Sequence, residues 1–314
     1  MDNIQHQQMV QETVKDRFKG KKNKKSRVKP LYPDSAEREY KRLLNEYNKV
    51  IDDTLEESMP SIRAAYRRCM RTDARYDSAA DFERELDEIL RKVRAKLEQR
   101  LSKFRLEEKV DQIGQMTNRS TIRQWKRMVK KTLGVDLQDD YYKGDFYKRA
   151  VDMWVQDNVL KIKGLPQTSL DSVRQTIVDG YKAGKTIREL TSDIQSEHDV
   201  SRSYAKMLAR DQVSTLNAQI TQMQHSDAGV TKYEWSTSRD GRVRECHRAL
   251  DGKIISWDDP PEMWYMTKHG IVNTGRKCHP GEDYQCRCCA IPVFDKETLN
   301  LPIKGKQEEK QSVR

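Results

Sequence analysis

The 314 residues carry 60 Lys and Arg against 49 Asp and Glu, a net charge of +11, with charged and hydrophobic residues at 35% each. That polarity excludes one large globule of ordinary proportions and favours elongated helices with narrow apolar seams, and the length suits about two domains. No apolar run approaches the roughly 18 residues of a membrane span, and the opening MDNIQHQQMV has no signal-peptide core, so synthesis in a reducing cytosol is expected.

The basic excess favours polyanionic partners, and it is densest in residues 1–30. From Lys15 to Lys29 nine basic residues stand against one Asp, with Gly20 interrupting any helix. The stretch reads as a flexible basic arm, either a solubilising tail or a phosphate contact. Lys21, Lys22, Lys24, Lys25 and Arg27 are its candidate nucleic-acid-binding residues.

Residues 31–164 are expected to be helical. Asp34 and Glu37 mark a helix start, and Tyr40, Leu43, Leu44, Tyr47, Val50, Ile51 and Leu55 form one apolar face. Pro60 should kink or restart the helix, after which Ile62, Ala65, Tyr66, Cys69 and Met70 make a second stripe. Phe82, Leu86, Ile89, Val93, Leu97, Leu101 and Phe104 alternate by threes and fours, a coiled-coil-like seam expected to run to about Val110. Such a stripe needs cover, from the preceding helix or from another subunit. Shorter helices are expected at 121–132 and 146–160, with a domain boundary near Gly164.

Helices follow at 169–183, 187–195 and 201–224. Gly184-Lys185-Thr186 ends like a phosphate-binding loop, but Asp179 stands where the first glycine would be, which excludes that motif. From Gly229 the period changes to alternation. Strands are expected at 230–235 and from Arg242 on, either side of the turn Ser238–Gly241, with another turn at Asp251-Gly252 and a last strand at 290–294. The fold class expected is therefore a mainly α N-terminal region with long helices, followed by a small α+β C-terminal module (229–295) stabilised by a metal. Residues 301–314 read as a charged tail.

Five of the six cysteines lie between 246 and 289. Zinc takes four N or S ligands at tetrahedral corners, and a small sheet with irregular loops gains stability when one ion ties distant segments together. The first-choice ligands are His247, Cys278 or His279, Cys286 and Cys288, with Cys246 and Cys289 as alternatives. In extended chain Cys286 and Cys288 point to one side; a tight turn would pair Cys286 with Cys289 instead. Disulfides formed in an oxidising medium and plainly buried thiols stay open beside the metal.

The segments ARDQVSTLNAQ (from Ala209), YEWSTSRDGRVRECHRALDGKII (from Tyr233) and HPGEDYQCRC (from His279) occur in an order that resembles the Mu F-like phage head morphogenesis proteins, or minor head proteins. The matching residues are Arg210, Asn217, Trp235, Thr237, Asp240, Arg242, Arg244, His247, Leu250, Asp251, Gly252, Pro280, Gly281, Cys286, Arg287 and Cys288. Cys246, Cys278 and Cys289 are additional to the pattern, and Asp211-Gln212 replaces an expected Thr-Glu. The resemblance places a Mu F-like domain at 165–300. It implies a virion component, present in the host cytoplasm during assembly, that associates with portal, major capsid or scaffolding protein. Residence in the head, contact with phage DNA and ejection with it are further implications; a membrane partner is not expected.

No catalytic residue is expected. An HNH-like nuclease would use His247 with Asn273 and His279 but has no evident carboxylate partner. An ADP-ribosyltransferase-like reading of Ser236-Thr237-Ser238 lacks the downstream Glu-x-Glu, and a zinc-containing nucleic-acid-binding regulator lacks a recognition helix beside the cysteines. Arg242, Arg244 and Arg287 are assigned to salt bridges or partner contact.

Overall fold

The computed structural model describes residues 3–70 and 75–304. Its helices are α1 (Asn3–Val14), α2 (Asp34–Glu56), α3 (Met59–Met70), α4 (Arg75–Leu101), α5 (Leu106–Leu133), α6 (Asp145–Lys163), α7 (Leu165–Lys182), α8 (Ile187–Asp227) and α9 (Glu245–Leu250). Its strands are β1 (Asn23–Lys25), β2 (Lys232–Ser236), β3 (Ile254–Ser256), β4 (Glu262–Thr267), β5 (Gly270–Lys277) and β6 (Cys289–Asp295). Two compact units divide the chain, one of Met1–Glu37, Asp111–Trp154 and Arg210–Arg314, the other of Arg38–Val110 and Val155–Ala209. The helix break at Gly164 is where the sequence puts it, but the units are assembled from discontinuous stretches and no division falls there.

The second unit is helical. Phe82 stacks on Tyr181 at 4.3 Å between ring centroids, and Tyr66 meets both rings edge-on. The Tyr66 hydroxyl donates to the Lys185 carbonyl at 2.6 Å and the Tyr181 hydroxyl to the Cys69 carbonyl at 3.3 Å, so both polar tips of the aromatic core are satisfied. The seam of α4 is buried at Phe82, Leu86, Val93 and Leu97, and α3 and α7 pack on this helix. Cover for the stripe thus comes from the preceding helix and from α7. The seam does not run to Val110: the chain turns at Ser102–Arg105, with Arg105 in the left-handed region at φ 55°, and Phe104 folds edge-on against Tyr47. A non-glycine residue carries this turn, so no Gly or Pro announces it.

The first unit holds a four-stranded antiparallel sheet in the order β1-β6-β2-β3 and a separate β4-β5 hairpin. β6 is its centre: Ala290 to Phe294 are all buried, consistent with a strand covered on both faces. Trp125 of α5 lies against Phe294 and His225, and its indole N–H donates to the Tyr142 hydroxyl at 2.8 Å. α8 ends at Ala228-Gly229, where Gly229 has φ 69° and an added Cβ would lie 1.9 Å from the Thr298 carbonyl oxygen. Only glycine allows that close passage of two backbones.

Four expectations about the chain are corrected. The stretch 1–30 is no flexible arm: α1 buries Val10 and Val14, Phe18 follows them inward, and β1 pairs Asn23, Lys24 and Lys25 with Asp295, Phe294 and Val293. A lysine-rich segment suits an edge strand, because charge there discourages further pairing. Helices 187–195 and 201–224 are one helix, α8. The strand expected from Arg242 is the short helix α9. Leu301 to Ile303 are buried, and Ile303 bridges Leu137, so the tail does not begin at 301; its remainder from 305 lies outside the described residues.

Candidate metal centre

Three segments meet beside β2. α9 presents His247; the acidic Glu245 in its first turn suits a helix start, and Gly252 at φ 84° follows its end. The loop after β5 supplies Asp283, Cys286 and Cys288, running into β6. α8 pins that loop. The Ser214 hydroxyl reaches the Gly281 carbonyl at 3.0 Å and the Cys286 carbonyl at 2.5 Å, and the Asp211 carboxylate accepts from the Gln285 backbone N–H. Gly281, at φ 94°, lies so close to α8 that an added Cβ would sit 3.0 Å from that of Ala218.

His247, Cys286 and Cys288 are all buried, with their ligand atoms within 4.8 Å of one another. His247 Nδ1 is 3.7 Å from each of the two sulfurs. The irregular chain leading into β6 brings both thiols to one ring, and no Cys286–Cys289 pair forms; the Cys289 sulfur faces the Arg287 carbonyl at 3.9 Å. The other His247 nitrogen, Nε2, is 3.2 Å from the Asp283 carboxylate. Asp283 in turn accepts from Arg276 at 2.8 Å, Arg244 at 3.3 Å and the Tyr284 backbone N–H at 2.9 Å.

The titration pattern follows this geometry. Burial alone would lower the His247 pKa, but the Asp283 hydrogen bond and the Cys286 sulfur raise it to about 9. The hydrogen bond from Cys288, with help from His247, holds the Cys286 thiol well below its usual value despite burial, while Cys288 is pushed up by that same bond and by burial. Burial opposes ionisation of Asp283, yet His247, Arg244 and the Tyr284 N–H hold its carboxyl well below the ordinary range. Two sulfurs and an imidazole whose second nitrogen is held by a carboxylate are a donor set suited to zinc, and the carboxylate fixes ring orientation and raises ligand basicity.

The other sequence candidates lie outside this group of three, although Cys246 and Cys278 share its buried cluster. Cys246 and Cys278 are buried in an apolar cluster with Tyr233, Trp235 and Met263, and burial raises the Cys278 pKa to about 11. His279 Nδ1 is 2.9 Å from the Tyr233 hydroxyl and its ring stands 4.6 Å from that of Trp257. Asn273 is exposed on β5 opposite Trp264, so the nuclease trio is not among the groups that come together here. Arg242 and Arg287 bind the Asp240 carboxylate and Arg244 binds Asp283. At the N-terminal segment Lys22 pairs with Glu297, Lys25 with Glu234, and Lys24 donates to the Arg17 carbonyl, while Lys21 and Arg27 are exposed. Sequence reading missed Asp283 and Ser214 as parts of the site. The signal present was an acid three residues before Cys286 in a Pro-Gly turn, and a small hydroxyl facing that turn one helical turn before Ala218.

A small antiparallel sheet carrying a buried Cys/Cys/His cluster, packed on the end of a long helix, defines a Cys/His-centred α+β module. Residues 171–291 match the family described as phage Mu protein F like protein. An uncharacterized protein of Haemophilus influenzae is 33% identical over 58% of this chain and 39% of its own length. Minor head protein GP7 of Bacillus phage SPP1 is 26% identical over 41% of this chain and 42% of its own. A protein of Enterococcus faecalis named NAD(+)--arginine ADP-ribosyltransferase EFV is 28% identical over 44% of this chain, but over only 28% of its own length. The matches therefore span well under half of each of these relatives. No solved structure is significantly similar to the chain.

The residues that carried the resemblance are largely the framework of this site. Thr237 donates through N–H and hydroxyl to Asp251, the Gly252 N–H bonds to the Trp235 carbonyl, Thr121 donates to Asn217, and Arg210 pairs with Glu37. Ser236-Thr237-Ser238 is thereby a strand end held by Asp251. Among the described residues no helix is long and apolar enough to cross a membrane.

Proposed function

We propose that this protein is a minor head protein acting in procapsid assembly, with its C-terminal module held together by one structural zinc ion. The observation that carries the reading is the match of residues 171–291 to the Mu F-like family, beside the similarity to a minor head protein of phage SPP1. His247, Cys286 and Cys288 hold the zinc, and Asp283 orients His247 for it. The metal supplies a cross-link between α9 and the strand-leading loop; its role is cohesion rather than turnover. The partners are other head proteins, the portal first, and the location is the virion, after assembly in the host cytoplasm. The exposed cations Lys21 and Arg27 give the N-terminal segment a DNA contact inside the head. The ADP-ribosyltransferase name belongs to a relative matched over a minor part of its length, and nothing at Ser236–Ser238 favours that chemistry here.

The test is purification of procapsids from cells expressing the full chain, with portal protein as the probe. Co-isolation with the portal, lost when Cys286→Ser/Cys288→Ser unfolds the module, is the expected result. Absence of the wild-type chain from procapsids and from portal complexes would overturn the assembly reading.

A further inference from the structure

The centre described above offers a metal three protein donors, where a closed structural zinc site has four. Among the described residues no further His, Cys, Asp or Glu joins the group of three. Among the nearby candidates His279 bonds to Tyr233, Asp283 to His247 and Cys289 faces the Arg287 carbonyl, while Cys246 and Cys278 share the buried cluster of Cys286 and Cys288 but lie outside the group of three. All three donor residues also line a cavity of about 280 Å³. Arg210, Arg242, Arg244 and Arg287 complete its wall, with Asp240 as the single acid among the lining residues.

We infer that the fourth position of the metal is open to this cavity, and that the cavity holds one small oxyanion, a phosphate or carboxylate group, coordinated by the metal and clamped by the arginines. The inference rests on the zinc reading of the same three residues. Charge favours it: two thiolates cancel the charge of a divalent ion, while four guanidinium groups face one lining carboxylate, with Glu37 and Asp283 compensating two of them from behind. Donor capacity favours it too. Each guanidinium has five N–H groups, and Arg244 spends one on Asp283, Arg287 one on Asp240 and Arg210 two on Glu37. Guanidinium forks match the paired oxygens of phosphate and carboxylate. The side chains of Arg242 and Arg244, 62% and 44% exposed, have room to turn inward. The volume of about 280 Å³ has room for a phosphate or carboxylate group. Binding is an exchange in which an oxygen of the anion replaces a metal-bound water, with no electron transferred.

The experiment uses the full chain with cobalt(II) in place of zinc, since cobalt reports its coordination sphere in the visible spectrum. Metal content comes first: a folded protein that binds no metal overturns the zinc reading itself, and with it this inference. With one cobalt bound per chain, inorganic phosphate and acetate are titrated separately. The expected result is a saturable change in the ligand-field bands, with affinity reduced at least tenfold in Arg242→Ala/Arg244→Ala at unchanged metal content. A response to phosphate alone assigns a phosphate group, and a response to acetate alone assigns a carboxylate. A bound cobalt whose spectrum ignores both anions, or responds equally in wild type and variant, overturns the inference. If the double variant fails to take up metal, Arg242→Ala alone gives the same comparison, because that side chain is exposed and touches no donor residue.

Discussion

Asp283 fixes the chemistry of the centre without being one of its three proposed donors. It is buried, receives two arginines and a backbone N–H, and spends its remaining capacity on His247 Nε2. Replacing it by Asn keeps the shape but removes the charge that makes His247 a strong donor. Asp283→Asn is expected to weaken metal binding by roughly 10–100-fold, read by competition against a chromophoric chelator. Cys286→Ser or Cys288→Ser should abolish stoichiometric zinc, measured by mass spectrometry, whereas Cys278→Ser should leave the stoichiometry intact. Sequence order alone could not separate these cysteines, since all cluster within one segment; the fold brings only Cys286 and Cys288 beside His247 within 4.8 Å. That Cys286, Cys288 and His247 come together matches three of the first-choice residues, although the chain at 286–288 is irregular rather than strand. A different residue sets an acid response. His225 is fully buried, takes the Trp257 indole N–H on Nδ1 at 3.2 Å, and burial drives its pKa down to about 3. Its unfolded value is about 6.5. Stability is therefore unaffected by His225 above that pH and falls between about 6.5 and 3, as the unfolded chain takes up a proton the folded chain refuses. The slope approaches about 1.4 kcal/mol per pH unit. Denaturation at pH 7 and pH 5 should show a larger loss in wild type than in His225→Phe; equal losses would count against the assignment.

Among the elements, β1 is the one whose sequence misleads. Its lysines hide the Val10, Val14 and Phe18 spacing that precedes it, and a strand of three residues has too short a pattern to read. Deletion of residues 1–28 should lower the melting temperature by several degrees, because three buried apolar side chains contribute roughly 1.5–3 kcal/mol each. A truncation without thermal effect would mean the strand pairing is dispensable. The α8 terminus makes a sharper case. Gly229→Ala combines positive φ with a Cβ inside the Thr298 carbonyl, so a loss of at least about 2 kcal/mol is expected from denaturant titration. The helical faces of α2, α3 and α4 were legible, since their apolar residues repeat at threes and fours and most prove buried. The ends of α4 and α5 were not, because Arg105 adopts a backbone conformation that its side chain does not advertise. The β4-β5 hairpin escaped for another reason: Tyr265, Met266, Ile271 and Val272 are exposed, so no inside-outside alternation marks it.

At the scale of the whole molecule, each unit is a mosaic of stretches distant in sequence, and a linear reading with one boundary could not recover it. The His247, Cys286 and Cys288 cluster and the sheet belong to the first unit alone, which gives a test of the energetic independence of the two units. On addition of a strong zinc chelator, amide exchange should accelerate in β2, β6 and α9, while the helices α3, α4 and α7 keep their protection. Uniform loss throughout would show one cooperative structure instead. The pairing of β1 with β6 has a consequence for how the protein is made. Lys25 meets Val293, so the edge strand leaves the ribosome roughly 270 residues before its neighbour exists. At synthesis rates of about 5–20 residues per second, Val14 and Phe18 wait of the order of tens of seconds without their final surroundings. During that interval the nascent N-terminal segment is a basic, partly apolar peptide, suited to transient capture by a chaperone until the last strand closes the sheet.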